Sequence, residues 1–225
     1  MSCNSFAHLS AMRHSVNRNS TERGSALIEF ILCVGLFWMP LFFGATQFGL
    51  QLISAIQVTE VSRDSGHMYA YGVDFSQSSN QYLLASFQPS LNVDPTGSGG
   101  STVVILSTVE YVDTALCQAG GYSSTCPNYG NIVFTGQIVV GNAALHASNF
   151  GTPTTSSNGT VSMGGPSTSG YLNASNALVT GFSGITLTSG ASGAQYAYIS
   201  EVYSKSSGLN WFLPSNPWVN AQSFF

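Results

Sequence analysis

Charge is what this chain has least of. Only 6% of its 225 residues are Asp, Glu, Lys or Arg, against roughly a quarter in soluble globular domains. Lys205 is the one lysine, accompanied by four arginines. So few cations leave no basic stripe to neutralise phosphates, which excludes nucleic acid as a partner. High net charge is missing as well: a formal −4 with 44% hydrophobic residues is the reverse of the balance that keeps chains disordered. The cysteines and histidines, four of each, show no zinc-site spacing, so no metal is expected. There is no G-x-S-x-G, H-E-x-x-H, P-loop or S-x-x-K motif. The sequence therefore reads as a non-enzyme without a cofactor.

What the chain does have is a long apolar run with an asymmetric charge frame. Phe30 to Phe48 (FILCVGLFWMPLFFGATQF) carries no formal charge and approaches the ~20 residues that cross a bilayer as helix. Arg13, Arg18 and Arg23 precede it, and only Arg63 and Lys205 follow. The positive-inside rule then keeps the N-terminus cytoplasmic and sends the rest across the bilayer. A buried soluble helix is the competing reading, opposed by an all-round apolar surface with Trp38 and four Phe between positions 30 and 43. A secretory signal would be shorter and end in an A-x-A site, whereas this run passes into GATQFGLQLISA. A lipoprotein signal is opposed by Leu32 before Cys33.

At the mouth of the span sits a carboxylate. Glu29 lies in Arg23-Gly-Ser-Ala-Leu-Ile-Glu-Phe30, where an acid is costly unless it snorkels to the headgroups or finds a partner. Gly24 stands five residues earlier, and cutting after it would free an amine at Ser25. This arrangement resembles the class III signal of type IV pilins and pseudopilins. More narrowly, RGSALIEF, the span with Pro40 and the following GATQFG resemble the TadE-like minor pilins of the Flp, or tight-adherence, system. The resemblance runs from Arg23 to Gly49. It implies cleavage between Gly24 and Ser25 by a prepilin peptidase, and pairing of the new Ser25 ammonium with Glu29 of a neighbouring subunit. The implied partners are other pilin subunits, an inner-membrane assembly platform and the lipid bilayer. Buried pairs of this kind fix register more dependably than they add stability. Pro40, which lacks an N–H, predicts a helix kink.

Past the span, no Gly or Pro interrupts the chain from Leu50 to Ser65, so one helix from about Ser25 to about Met68 is expected, ~65 Å long. Leu50, Ile53, Val58, Val61 and Met68 form its expected docking stripe. Strands are predicted at 101–113, 132–140, 184–188 and 194–203. Gly, Ser, Thr and Asn fill the long polar connection between Gly151 and Gly170, with at best one short strand near Val161. The aromatic, proline-broken stretch 210–225 is expected to cover the sheet. The fold class is α+β: a long N-terminal transmembrane helix continuing into an antiparallel β-rich exported domain. Its divisions are a basic leader (1–24), the helix with its extracytoplasmic extension (25–72) and the β-rich domain (73–225).

Cys117 and Cys126 enclose eight residues between two predicted strands. An oxidising compartment favours their disulfide. His67 and His146 read as surface or packed histidines, although either is free to meet an acid and a Ser in three dimensions. The sequons at Asn158 and Asn173 are of a kind that chance supplies in so Ser- and Thr-rich a chain. Three functions remain open: a cleaved minor pilin or pseudopilin for adhesion or secretion, an uncleaved membrane-tethered β domain that binds an envelope or surface ligand, and an anchored hydrolase.

Overall fold

The long helix forms as the uninterrupted sequence predicts. In the computed structural model, which describes residues 19–97, 99–182, 186–187, 196–205 and 218–225, α1 (Asn19–Cys33) passes through a π-helical turn (Val34–Trp38) into α2 (Met39–Ala70). Positions 1–18 of the expected leader lie outside the described residues. The chain divides into two compact units, one through Thr46 and one from Gln47 onward.

In the first unit apolar side chains point outward all round the helix. Leu27, Phe30, Leu36, Phe37, Leu41 and Phe42 are each exposed. The helix from Ser25 to Ala70 contains an 18-residue window long and apolar enough to cross a membrane, with mean hydropathy 2.2. Such a surface has no core of its own to enter, which is the signature of a helix solvated by lipid or by other helices.

The second unit is a four-stranded antiparallel sheet with cover on both faces. After α2 come α3 (Ser78–Phe87), β1 (Thr102–Tyr111), α4 (Thr114–Ala119), β2 (Ile132–Gly141), β3 (Tyr196–Lys205) and β4 (Trp218–Phe224). The spatial order is β2-β1-β3-β4. On one face Val104, Leu106, Val140 and Val202 meet Val58 and Val61 of α2, Leu84 of α3, and Phe75 and Leu91 from the connections. On the other, Val109, Val133, Phe134 and Ile199 meet Phe150, Val161, Tyr171 and Leu172, all from the chain between β2 and β3. Central β1 is thus buried on both sides, which explains why TVVILSTVEY is nearly continuous in apolar residues rather than alternating. A bulge falls where Thr108 pairs with Gly136 and Val109 with Phe134, leaving Thr135 as the extra residue of β2.

The docking face of α2 differs from the expected stripe. Leu50 and Ile53 are 44% and 53% exposed, and the buried positions are Val58, Val61, Ser62, Ser65 and Gly66, with Gln47 further up the helix. Small residues allow the helix to approach the sheet closely enough to hydrogen-bond to it. The Ser62 hydroxyl donates to the Ser200 carbonyl at 3.2 Å and shares a hydrogen bond with Ser223 at 3.0 Å. Ser65 and Ser200 share another at 3.0 Å. A helical-wheel reading that counts only large apolar residues misses such a face.

The predicted strands at 101–113, 132–140 and 194–203 correspond to β1, β2 and β3, the last beginning at Tyr196 and running to Lys205. Of 184–188 only Thr186 and Leu187 lie among the described residues, and they form no strand. Of the aromatic stretch, 210–217 lies outside the described residues, while 218–224 forms edge strand β4. The long polar connection supplies a bridge near the expected place, between Thr160 and Gly136.

Candidate functional site

Two groups of polar residues stand out, one in each unit. In the first, Gly24 and Ser25 lie inside α1, and Glu29 follows Ser25 by four residues. That separation places Ser25 and Glu29 on one face of the helix, one turn apart. Both are exposed, in line with the apolar residues around them. No other charged residue occurs between Arg23 and Glu60, so the Glu29 carboxylate stands alone at the start of a long apolar stretch.

Further along, Pro40 is accommodated by a change of helix type. Proline removes the N–H that would bond to the carbonyl of Leu36 and crowds that carbonyl. Immediately before it, the chain widens over Val34–Trp38, and the Met39 N–H donates five residues back to Val34 O. Inserted π turns of this kind let a helix continue past a misfit. Cys33, just ahead of the turn, is a free and exposed thiol.

Residues 24–67 match the family model described as TadE-like protein. That stretch is similar to the TadE-like family. The matched family is associated with Tad/Flp pili, and the match takes in Gly24, Ser25, Glu29 and Pro40 together. It ends within α2, so the sheet and its covering segments lie beyond the TadE-like segment. No curated protein and no solved structure matches the chain.

Outside the TadE-like segment, the head contains the expected disulfide, Cys117–Cys126, with a Cα–Cα distance of 5.3 Å. Both cysteines are buried in the same apolar cluster as Val133 and Leu172. Cys117 lies on α4, whose start is capped by Asp113: its carboxylate accepts the Leu116 N–H at 2.9 Å. That capping acid lies near Glu110, and burial first, with Asp113 second, pushes the Glu110 carboxyl above its ordinary range. Burial, and then the negative charge of Glu110, pushes the Tyr171 hydroxyl up to about 12.

The second group is one that sequence reading passed over. Glu201 is fully buried at the middle of β3. Its carboxylate accepts the Asn149 N–H at 3.1 Å, the Tyr203 hydroxyl at 2.6 Å and the Ser148 hydroxyl. Ser148 in turn accepts the Phe150 N–H at 3.1 Å. Three neutral donors thus satisfy a buried acid and tie the chain that leaves β2 onto the sheet. Burial, with Glu201 beside it, raises the Tyr203 hydroxyl well above its usual value. Only the alternation of YAYISEVYSK hints at the inward direction of Glu201, and a lone acid there is ordinarily assigned to solvent.

Among the described residues, His67 and His146 take packing roles. His146 stacks on Tyr203 with ring centroids 3.9 Å apart and lies edge-on to Trp218 at 5.9 Å, while its Nδ1 contacts the Ala147 carbonyl. It stands two positions before Ser148 in the chain, and Ser148 donates directly to Glu201 with no imidazole between them. His67 packs against Phe225 at 4.3 Å and Tyr71 at 6.5 Å. At the sequons, the Asn173 amide donates to Gly165 O, Thr168 O and Tyr122 O–H, a staple that occupies its nitrogen. Asn158 accepts from Ser156 and Thr160 within its own turn.

Proposed function

We propose that this protein is a minor pilin or pseudopilin of a Flp/Tad-type system, inserted with its N-terminus in the cytoplasm and cut between Gly24 and Ser25 by a prepilin peptidase. The observation that carries the reading is the joint placement of Gly24, Ser25 and Glu29 at the start of an outward-facing apolar helix, inside the TadE-like match. Cleavage frees the Ser25 ammonium, which pairs with Glu29 of an adjacent copy. A charge that is expensive in lipid thereby acquires a cation, and its position sets the axial register of the two helices. Gly24 is the residue least committed to helix, so the bond to be cut sits where α1 opens most readily. The Val34–Trp38 turn and Pro40 supply the place at which the span bends to meet its neighbours.

After processing, the sheet-bearing unit lies on the outer side of the inner membrane, joined to other pilus subunits and to the assembly platform through the helix. Its role is to enter or initiate the filament, for adhesion or secretion. The test is co-expression with a prepilin peptidase, followed by intact-mass measurement of the membrane-extracted protein. The wild type is expected to lose its first 24 residues and Gly24→Ala to stay whole. Full-length mass for both would overturn the pilin reading and favour an uncleaved, membrane-tethered binding domain.

A further inference from the structure

The sheet face that holds Glu201 continues, at the β3–β4 edge, into an open surface. Cross-strand pairing places Lys205 beside Trp218 and Tyr203 beside Asn220, so these four side chains project from one face of the sheet. The ammonium of Lys205, the chain's one lysine, stands 5.3 Å from the centroid of the Trp218 ring. His146 lies over Tyr203 and meets Trp218 edge-on, which fixes the indole from a second side. Trp218 is nonetheless 43% exposed, and Asn220 is exposed one strand repeat further along.

Electrostatically this edge differs from the rest of the chain after the span. After the span the sequence carries seven acids against Arg63 and Lys205. Here the ammonium of the half-buried Lys205 lies over the exposed Trp218 ring, and the acid of the same face, Glu201, is buried with its oxygens occupied by Ser148, Asn149 and Tyr203. An exposed ring held by a cation, with an amide beside it and the Glu201 carboxylate of that face engaged by its own donors, offers three complementary contacts. The ring takes a flat apolar surface, the ammonium takes a carboxylate, and the amide both donates to and accepts from hydroxyls.

We propose that the Lys205–Trp218–Asn220 edge binds acidic polysaccharide. A uronate ring stacks on the Trp218 indole, its carboxylate faces Lys205, and its hydroxyls bond to the Asn220 amide. His146 and Tyr203 are positioning residues that hold the indole in place. This assignment is independent of pilus assembly, since it uses no residue of the TadE-like match.

The test is affinity electrophoresis of the full chain in detergent micelles, through gels containing polygalacturonate or, as the neutral control, dextran. Retardation is expected in polygalacturonate alone, weakening as salt rises. Lys205→Gln and Trp218→Ala should each reduce the apparent affinity roughly tenfold. Trp218→Phe should retain part of it, and Tyr71→Ala, at an exposed aromatic outside the edge, should retain all of it. Should Trp218→Ala unfold the sheet, Lys205→Gln and Trp218→Phe decide the matter. Equal retardation in dextran, no retardation in either gel, or unchanged binding by Lys205→Gln would overturn the proposal.

Discussion

A Cβ built on Gly66 of α2 would stand 2.2 Å from the ring of Phe225. The ring occupies the space that a glycine leaves, with His67 packed against its other side. The backbone of Phe225 is held as well, exchanging hydrogen bonds with Tyr198 at 2.9 and 3.0 Å. Helix α2, the end of β4 and strand β3 therefore meet at one point, and that point depends on the absence of a single methyl group.

Gly66→Ala sets two effects against each other. Alanine favours the helix by about 1 kcal/mol, while forcing Phe225 from its slot costs about 1–3 kcal/mol. The clash should win, so the melting temperature is expected to fall, followed by circular dichroism. A rise would show that the ring moves aside without loss.

Glu201→Ala removes the acceptor from three donors at once. Leaving a buried donor without a partner costs about 1–3 kcal/mol, which applies to Tyr203; Ser148 and Asn149 are nearer the surface, and their loss is chiefly that of the tie between the Ser148–Phe150 segment and β3. Faster hydrogen exchange at the Asn149 amide is the expected local readout. Glu201→Gln keeps one acceptor oxygen but turns an N–H2 toward donors, so its loss should be intermediate.

Replacing Cys117 and Cys126 together by Ser should lower stability by about 2–3 kcal/mol, the range for closing a short loop. Alkylation of the unreduced protein followed by peptide mapping should modify Cys33 and spare both head cysteines. Labelling of Cys117 without reductant would contradict the bond.

Glu110 supplies the pH prediction. Its folded carboxyl titrates above its unfolded value, so folding favours the protonated form. The group is neutral in both states at low pH and costs nothing there. As pH rises through the unfolded value toward the folded one, the unfolded chain ionises first and stability declines. Glu110→Gln should therefore raise the melting temperature at pH 7 and leave it unchanged at pH 3, measured by a thermal scan at each pH. An equal effect at both would place the cause elsewhere.

Some of this architecture was legible because its signals are local. The span announces itself by nineteen uncharged residues. β1 and β2 announce themselves by β-branched runs, and the disulfide by two cysteines flanking a short loop. The TadE-like features are local too: Gly24, Ser25, Glu29 and Pro40 all fall within one helix. Strand β4 was hidden because WVNAQSF is a mixed stretch beside prolines, and it becomes a strand only by pairing with β3.

By itself, then, the sequence determined that a charge-poor chain with one long apolar run must form an outward-facing helix, a β-rich unit and a stapled loop, because each depends on neighbours a few positions away. The tertiary structure alone decided the order β2-β1-β3-β4, the use of Ser62, Ser65 and Gly66 instead of Leu50 and Ile53 to dock α2, the burial of Glu201, and the meeting of Lys205 with Trp218. Those features depend on partners distant in the chain. Close approach rewards small residues, and a buried acid is tolerated only where folding brings enough donors to it.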